Sequence, residues 1–296
     1  MYTVHLKLTY ECDLSCRHCY LECGPGGRSM SDETIDKVFR HLPESTFNLL
    51  FSGGEVTSAK KTFTYALDAY KDHVVRLNTG MPFLTIHTNG YWTQRFWSSL
   101  WVLKKLRDAG TAQIYSTGDT CYHHEQGVDP AMQHLSGNRP LSTAYRLIWP
   151  NRFFRAMFPG PIFLGGGSGE GQDVLPLGRA RNLPEEEVAD IFGCKLLDWR
   201  DDPSGTRRVT VDPDGMVYLC CWMKHPPIGN AADEPIEDMV ERSLEDDVIK
   251  ALMDDGVAGA AKTLGVFDQD KKDEYRDKAC LMCEDLFGGI AGLENP

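Results

Sequence analysis

Long apolar runs are missing from this 296-residue chain: no stretch of 18 apolar residues occurs, and no charged-then-apolar leader opens it. A membrane span and a secretory signal are therefore not expected, and the expected location is the cytoplasm. Positive charge is also scarce, with 31 Lys and Arg against 43 Asp and Glu, a net charge of −12. The deficit is uneven. Residues 185–296 hold 12 basic and 27 acidic side chains, whereas residues 1–184 hold 19 and 16. An acidic surface repels phosphate backbones, so nucleic acid is not an expected partner. The glycine-rich stretch Gly165–Gly171 lacks the GK[ST] ending that would make it a phosphate loop, and no internal repeat is evident. Cysteine, by contrast, is plentiful. Ten of them in a chain expected in a reducing compartment point to metal binding or catalysis before disulfides.

Strand and helix signals alternate over the first half. A strand at about 3–9 precedes a cysteine-bearing loop. Ser31-Asp32-Glu33-Thr34 caps a helix with Ile35, Val38, Phe39 and Leu42 on one face. A strand at 47–51 ends in Ser52-Gly53-Gly54-Glu55, and a helix follows to about His73. Strand 83–86 ends in His87-Thr88-Asn89-Gly90, a helix spans about 93–109, and strand 112–115 leads to Ser116. Residues 143–149 and 161–165 read as fifth and sixth strands. This βα repetition predicts a parallel sheet with outer helices and functional loops at the carboxyl ends of its strands.

Cys12, Cys16 and Cys19 stand at the spacing CxxxCxxC directly after the first strand. Three thiolates can hold three irons of a [4Fe–4S] cluster and leave the fourth open to a chelating ligand. From the triplet alone, a zinc site completed by Cys23 or His18 stays open. Gly53-Gly54-Glu55, at a strand end some 35 residues later, narrows the choice. Glycines admit close backbone approach, and a carboxylate suits an ammonium group.

Together these motifs resemble the radical SAM superfamily. The resemblance implies that S-adenosyl-L-methionine chelates the open iron and is cleaved to a 5′-deoxyadenosyl radical. It further implies a partial (β/α)6 barrel over residues 1–184, with His18 in the aromatic place before the third cysteine. Gly53, Gly54 and Glu55 would hold the methionyl amino group, and Thr88, Asn89 and Ser116 would contact the cofactor from strand ends. Arg179, in Gly178-Arg179-Ala180, would face cofactor or substrate.

In the acidic half, Cys194 comes first. Asp212-Pro213-Asp214-Gly215 then makes a tight turn between two strands, followed by Cys220 and by Cys280 and Cys283 as CxxC. The order C…GxxxxC…CxxC resembles the Twitch domain, the short relative of the SPASM extension. A small α+β domain over residues 185–296, with four cysteines on one auxiliary [4Fe–4S] cluster, is what this implies. The twenty residues between Cys194 and Gly215 exceed the commonest spacing, and a structural zinc is the alternative.

Cys23, Cys121 and Cys221 are left over. The chain resembles the small radical SAM epimerases with one auxiliary cluster, such as neomycin C epimerase and the epipeptide epimerases. An epimerase of this kind needs a thiol that returns a hydrogen atom, and Cys221 and Cys121 are the candidates, in that order. The polar cluster Asp119–Glu125, with its His/Glu pair, reads either as acid–base groups or as a surface loop. The competing reaction is a net oxidation in which the auxiliary cluster accepts an electron. Expected partners are a small molecule, such as a cationic aminoglycoside, or a short peptide, with flavodoxin or ferredoxin as reductant.

Overall fold

The computed structural model describes residues 1–77, 82–111, 113–117, 120–128, 139–148, 162–165, 174–188, 194, 196, 199, 205–268, 275 and 278–288. Eight strands form one sheet in the order β5-β4-β3-β2-β1-β6-β7-β8. Strands β1 (Tyr2–Thr9), β2 (Thr46–Gly53), β3 (Phe83–Thr88), β4 (Gln113–Ser116) and β5 (Ile162–Gly165) pair in parallel along this order. On the other side of β1, β6 (Arg207–Val211) is also parallel, and β7 (Met216–Tyr218) and β8 (Gly229–Asn230) continue the sheet antiparallel. The sheet thus runs through the boundary expected near residue 184.

Helices α1 (Asp32–Arg40), α2 (Lys60–Leu77) and α3 (Phe96–Asp108) connect the first four strands. The cap expected for α1 is present, Thr34 N donating to Ser31 Oγ at 3.0 Å. Ile35, Val38 and Phe39 are buried at helical spacing behind it. Short helix α4 (Cys121–Glu125) and then α5 (Arg139–Ile148) follow β4. Residues 143–148, expected as a strand with residue 149, are therefore helical, and residue 149 lies outside the described residues. Leu141, Ala144 and Ile148 are buried three and four apart, a helical period that a short apolar run does not separate from a strand in the sequence. The stretch at 161–165 supplies the fifth parallel strand rather than the sixth, and Gly166–Gly171 lie outside the described residues. The C-terminal part adds α6 (Ile236–Ser243), α7 (Asp247–Thr263) and α8 (Ala279–Gly288). None of the described helices is long and apolar enough to cross a membrane.

Strand β1 has two different faces. Tyr2, Val4, Leu6 and Leu8 are buried in the main core, which also takes Leu49, Phe51, Leu84, Ile86 and Val209. The alternate residues Thr3, His5 and Lys7 line a cavity of about 1130 Å³, with Asn48, Leu50 and Ser52 of β2, His87 of β3 and Tyr115 of β4. A parallel sheet covered on both faces normally reads apolar throughout. Here a polar row survives because it faces the hollow side.

Candidate active site

The cavity mouth gathers the expected residues. Cys12, Cys16, Cys19, His18, Gly53, Gly54, Thr88, Asn89 and Arg179 line it, and so do Cys220 and Cys221 from the opposite end of the chain. Two glycines set its rim. Gly53 has φ +131°, where its Cβ would stand 2.0 Å from the Thr9 carbonyl oxygen. A Cβ on Gly54 would stand 2.2 Å from the Glu11 carbonyl oxygen and 3.2 Å from Cys12 Cβ. The chain passes the cysteine loop too closely for any side chain.

Glu55 is fully buried and holds two strand ends together. One carboxylate oxygen accepts from Thr57 N (3.1 Å) and Thr57 Oγ1 (2.6 Å), the other from Thr88 Oγ1 (2.8 Å) and Asn89 N (2.8 Å). Burial, with Asp13 nearby, raises its pKa to about 7 despite these donors. Asn89 is held as well. Its Oδ1 accepts from Tyr91 N at 2.8 Å, and its amide donates to Asp13 Oδ1 at 3.0 Å and towards Cys12 Sγ at 3.6 Å. Thr88 and Asn89 thus join the β3 end to both the GGE turn and the cysteine loop. Ser116 is level with Thr88 in the sheet, and its buried hydroxyl has no hydrogen-bond partner among the described residues.

Arg179 clamps the cysteine loop from below. Its Nε donates to the Cys16 carbonyl at 2.9 Å, a terminal guanidinium nitrogen donates to the Cys23 carbonyl at 2.6 Å, and its backbone N–H meets the Cys19 carbonyl at 3.2 Å. His18 stacks on Tyr122 with ring centroids 4.7 Å apart and meets His123 edge-on at 4.8 Å. Burial lowers its pKa to about 4, keeping it neutral, and its buried Nδ1 has no partner among the described residues. Of the polar cluster expected after β4, Tyr122 and His123 point inward, Glu125 pairs with Arg17 at 3.1 Å on the surface, and Asp119 lies outside the described residues.

The thiols of the loop differ. A hydrogen bond with Cys23 pulls Cys19 down to about 6, whereas burial pushes Cys16 up to about 12. Cys12 is raised by burial, and Cys23 by its hydrogen bond with Cys19 and then by burial. Three thiols around one cavity beside a glycine cradle, with the orphaned Nδ1 of His18 and Oγ of Ser116 close by, fit a cluster-bound chelating cofactor.

The second cysteine set assembles from distant segments. Cys283 is 8% exposed and belongs to the main core, against which Cys194 and Cys220 pack. Cys280 is buried among Leu175, Leu177, Tyr20 and Trp222. Burial pushes the Cys283 thiol well up, Cys194 and Cys280 adding to the effect. Cys220 is also raised well up, first by its hydrogen bond with Cys221 and then by burial, with Cys280 in reach. Among the described residues no three Cys, His, Asp or Glu side chains converge on a single-ion site. Cys283 is within electrostatic reach of Cys194 and Cys280, and Cys220 of Cys280, and four soft donors are the usual complement of a multi-iron cluster.

Three features escape the sequence reading. Lys7 is 2% exposed and lines the cavity. Tyr20 meets Trp222 edge-on at 4.7 Å, joining the loop of Cys19 to that of Cys220 and Cys221. The wall carries Lys7, Arg179 and Arg208, and no carboxylate stands among its described lining residues. The polar alternation of β1 is the available signal for Lys7, since one face of a parallel strand has to be explained.

Among solved structures, the chain is similar to hexahistidine-tagged anSMEcpe with bound AdoMet, at 13% identity and a TM-score of 0.50, covering 96% of this chain and 88% of that one. The native anSMEcpe with bound AdoMet and Cp18Cys peptide gives 14%, 0.48, 96% and 88%. Streptococcus suis SuiB bound to precursor peptide SuiA gives 11%, 0.34, 80% and 63%. No curated protein matches the chain. Residues 203–284 match the iron–sulfur cluster-binding domain SPASM and residues 6–148 match the radical SAM superfamily. These domains imply S-adenosyl-L-methionine, its [4Fe–4S] cluster and auxiliary iron–sulfur binding. The chain carries a radical SAM superfamily domain over residues 6–148 and a SPASM-type iron–sulfur cluster-binding domain over residues 203–284.

Proposed function

We propose that the chain is a radical epimerase in which Cys221 returns a hydrogen atom to a substrate carbon. The observation that carries this reading is the position of Cys221. It lines the same cavity as Cys12, Cys16 and Cys19, whereas the rival donor Cys121 is exposed on α4.

When bound at Cys12, Cys16 and Cys19, the cluster and S-adenosyl-L-methionine supply the 5′-deoxyadenosyl radical that removes a hydrogen atom from substrate. The chain positions the rest. Arg179 fixes three carbonyl groups of the cysteine loop, Gly53 and Gly54 leave the backbone open, and Glu55 keeps the β2 and β3 ends in register. His18, Thr88, Asn89 and Ser116 are the remaining side chains assigned to the cofactor. Cys194, Cys220, Cys280 and Cys283 would hold the auxiliary cluster, whose role with four protein ligands would be electron transfer. The Cys221 S–H bond then breaks as a new C–H bond forms on the opposite face of the carbon. The sulfur-centred radical left behind takes one electron from a flavodoxin- or ferredoxin-type reductant and one proton from solvent.

The wall's charge guides the choice of substrate. Lys7, Arg179 and Arg208 on a wall without described carboxylates offer an aminoglycoside no side-chain carboxylate to pair with, so a neutral or acidic small molecule or short peptide is favoured.

The test is Cys221→Ala in reconstituted enzyme. Both clusters and 5′-deoxyadenosine formation are expected to remain while inverted product disappears. In deuterated water the wild-type product is expected to carry one solvent deuteron at the inverted carbon, because thiols exchange. Normal turnover by Cys221→Ala removes the residue from the mechanism. A matching result for Cys121→Ala moves the reading to net oxidation.

A further inference from the structure

Lys7 is a cation in an unusual place. It projects from the hollow side of β1, is 2% exposed, and donates to the Tyr20 hydroxyl. Its ammonium lies 5.1 Å from the centroid of the Tyr20 ring. Among the described residues no carboxylate forms an ion pair with it. A buried ammonium without a counter-charge is strongly disfavoured. Burial lowers the pKa of Lys7, and the groups whose negative charge opposes this are Cys221, Cys23, Cys19 and Cys220. Cys19 belongs to the first cysteine set and Cys220 to the second, while Cys23 is hydrogen-bonded to Cys19 and Cys221 to Cys220. Tyr20, which follows Cys19, meets the edge of Trp222, which follows Cys221, and the pair packs with Cys280. The contact fixes the lysine at the seam between the two sets.

We propose that Lys7 is a shared counter-charge for the two cysteine-held clusters, making each easier to reduce. A cluster held by thiolates carries net negative charge, and adding an electron increases it. A fixed cation nearby stabilises the reduced form more than the oxidised one, and charge and hydrogen bonding around a cluster set its potential. Burial strengthens the effect because little water screens it. The hydrogen bond to Tyr20, itself packed edge-on against Trp222, holds the ammonium beside both cysteine segments.

The inference rests on the two-cluster reading, and the experiment separates the two. Full-length protein is reconstituted anaerobically, its iron is counted, and both midpoint potentials are followed by electron paramagnetic resonance during dye-mediated reduction. Fewer than about eight irons in the wild type would refute the two-cluster reading itself. With about eight irons, Lys7→Met is expected to move both potentials to more negative values, and Lys7→Arg to leave both close to wild type. Met fills the space of the lysine stem, so a purely packing role would leave the potentials of Lys7→Met where they were. That result overturns the proposal, as does movement of only one potential. If Lys7→Met loses iron, Lys7→Arg decides: full iron with wild-type potentials supports the charge, and loss of iron there too overturns it.

Discussion

The two cysteine sets, each proposed to hold a cluster, are built by different means. Cys12, Cys16 and Cys19 fall within eight residues of one loop. That loop is stapled by Arg179 and pressed against Gly53 and Gly54. Cys194, Cys220, Cys280 and Cys283 span ninety residues and come together only through packing. The first set opens on a cavity; the second is partly built into the core. A local set can lose its metal and leave the fold standing. A dispersed set couples metal binding to folding, because its ligands are also core residues.

Replacing Cys12, Cys16 and Cys19 together by alanine is the harshest test of that difference. It is expected to abolish 5′-deoxyadenosine formation and to halve iron from about eight to about four, while the melting temperature changes little. Surviving 5′-deoxyadenosine would break the assignment. Cys283→Ala is next. It should also halve the iron, but with a clear drop in melting temperature, since a buried core position and a ligand are lost together. Equal melting temperatures for the two variants would show that the sets do not differ in their coupling to the fold.

Glu55 offers a finer probe on the side of the local set. Its folded carboxyl keeps a proton up to about pH 7, whereas an unfolded one releases it near 4.5. The native state therefore binds more protons across that window, and stability of the metal-free protein should fall as pH rises through it. The full effect is roughly 3 kcal/mol. Urea unfolding at about pH 4.5 and about pH 7.5 measures it, and Glu55→Gln should flatten the difference. A slope that persists in Glu55→Gln assigns it to another group. The smallest effect is expected for Ser31→Ala. Loss of this cap should cost about 1 kcal/mol and leave iron content untouched, a control lying in neither set.

Local features of this protein are legible from the chain alone. The triplet, the GGE turn, the capped start of α1 and the Asp212–Gly215 turn each depend on residues adjacent in sequence. Their geometry follows from backbone sterics and hydrogen bonding within a few residues. Helix α5 reads as a strand because Ala144, Tyr145, Leu147 and Ile148 suit a strand as well as a helix, and only burial of one face decides. The tertiary structure alone decided the rest. It turned the polar residues of β1 inward to line a hollow, where an isolated strand would have shown them to water. It set Cys221 on the cavity wall and left Cys121 outside, and it brought Tyr20 against Trp222 across two hundred residues. Sequence spacing carries ligand type and local reach. Which side of a strand is hollow, and which distant thiols share it, depends on packing across the whole sheet.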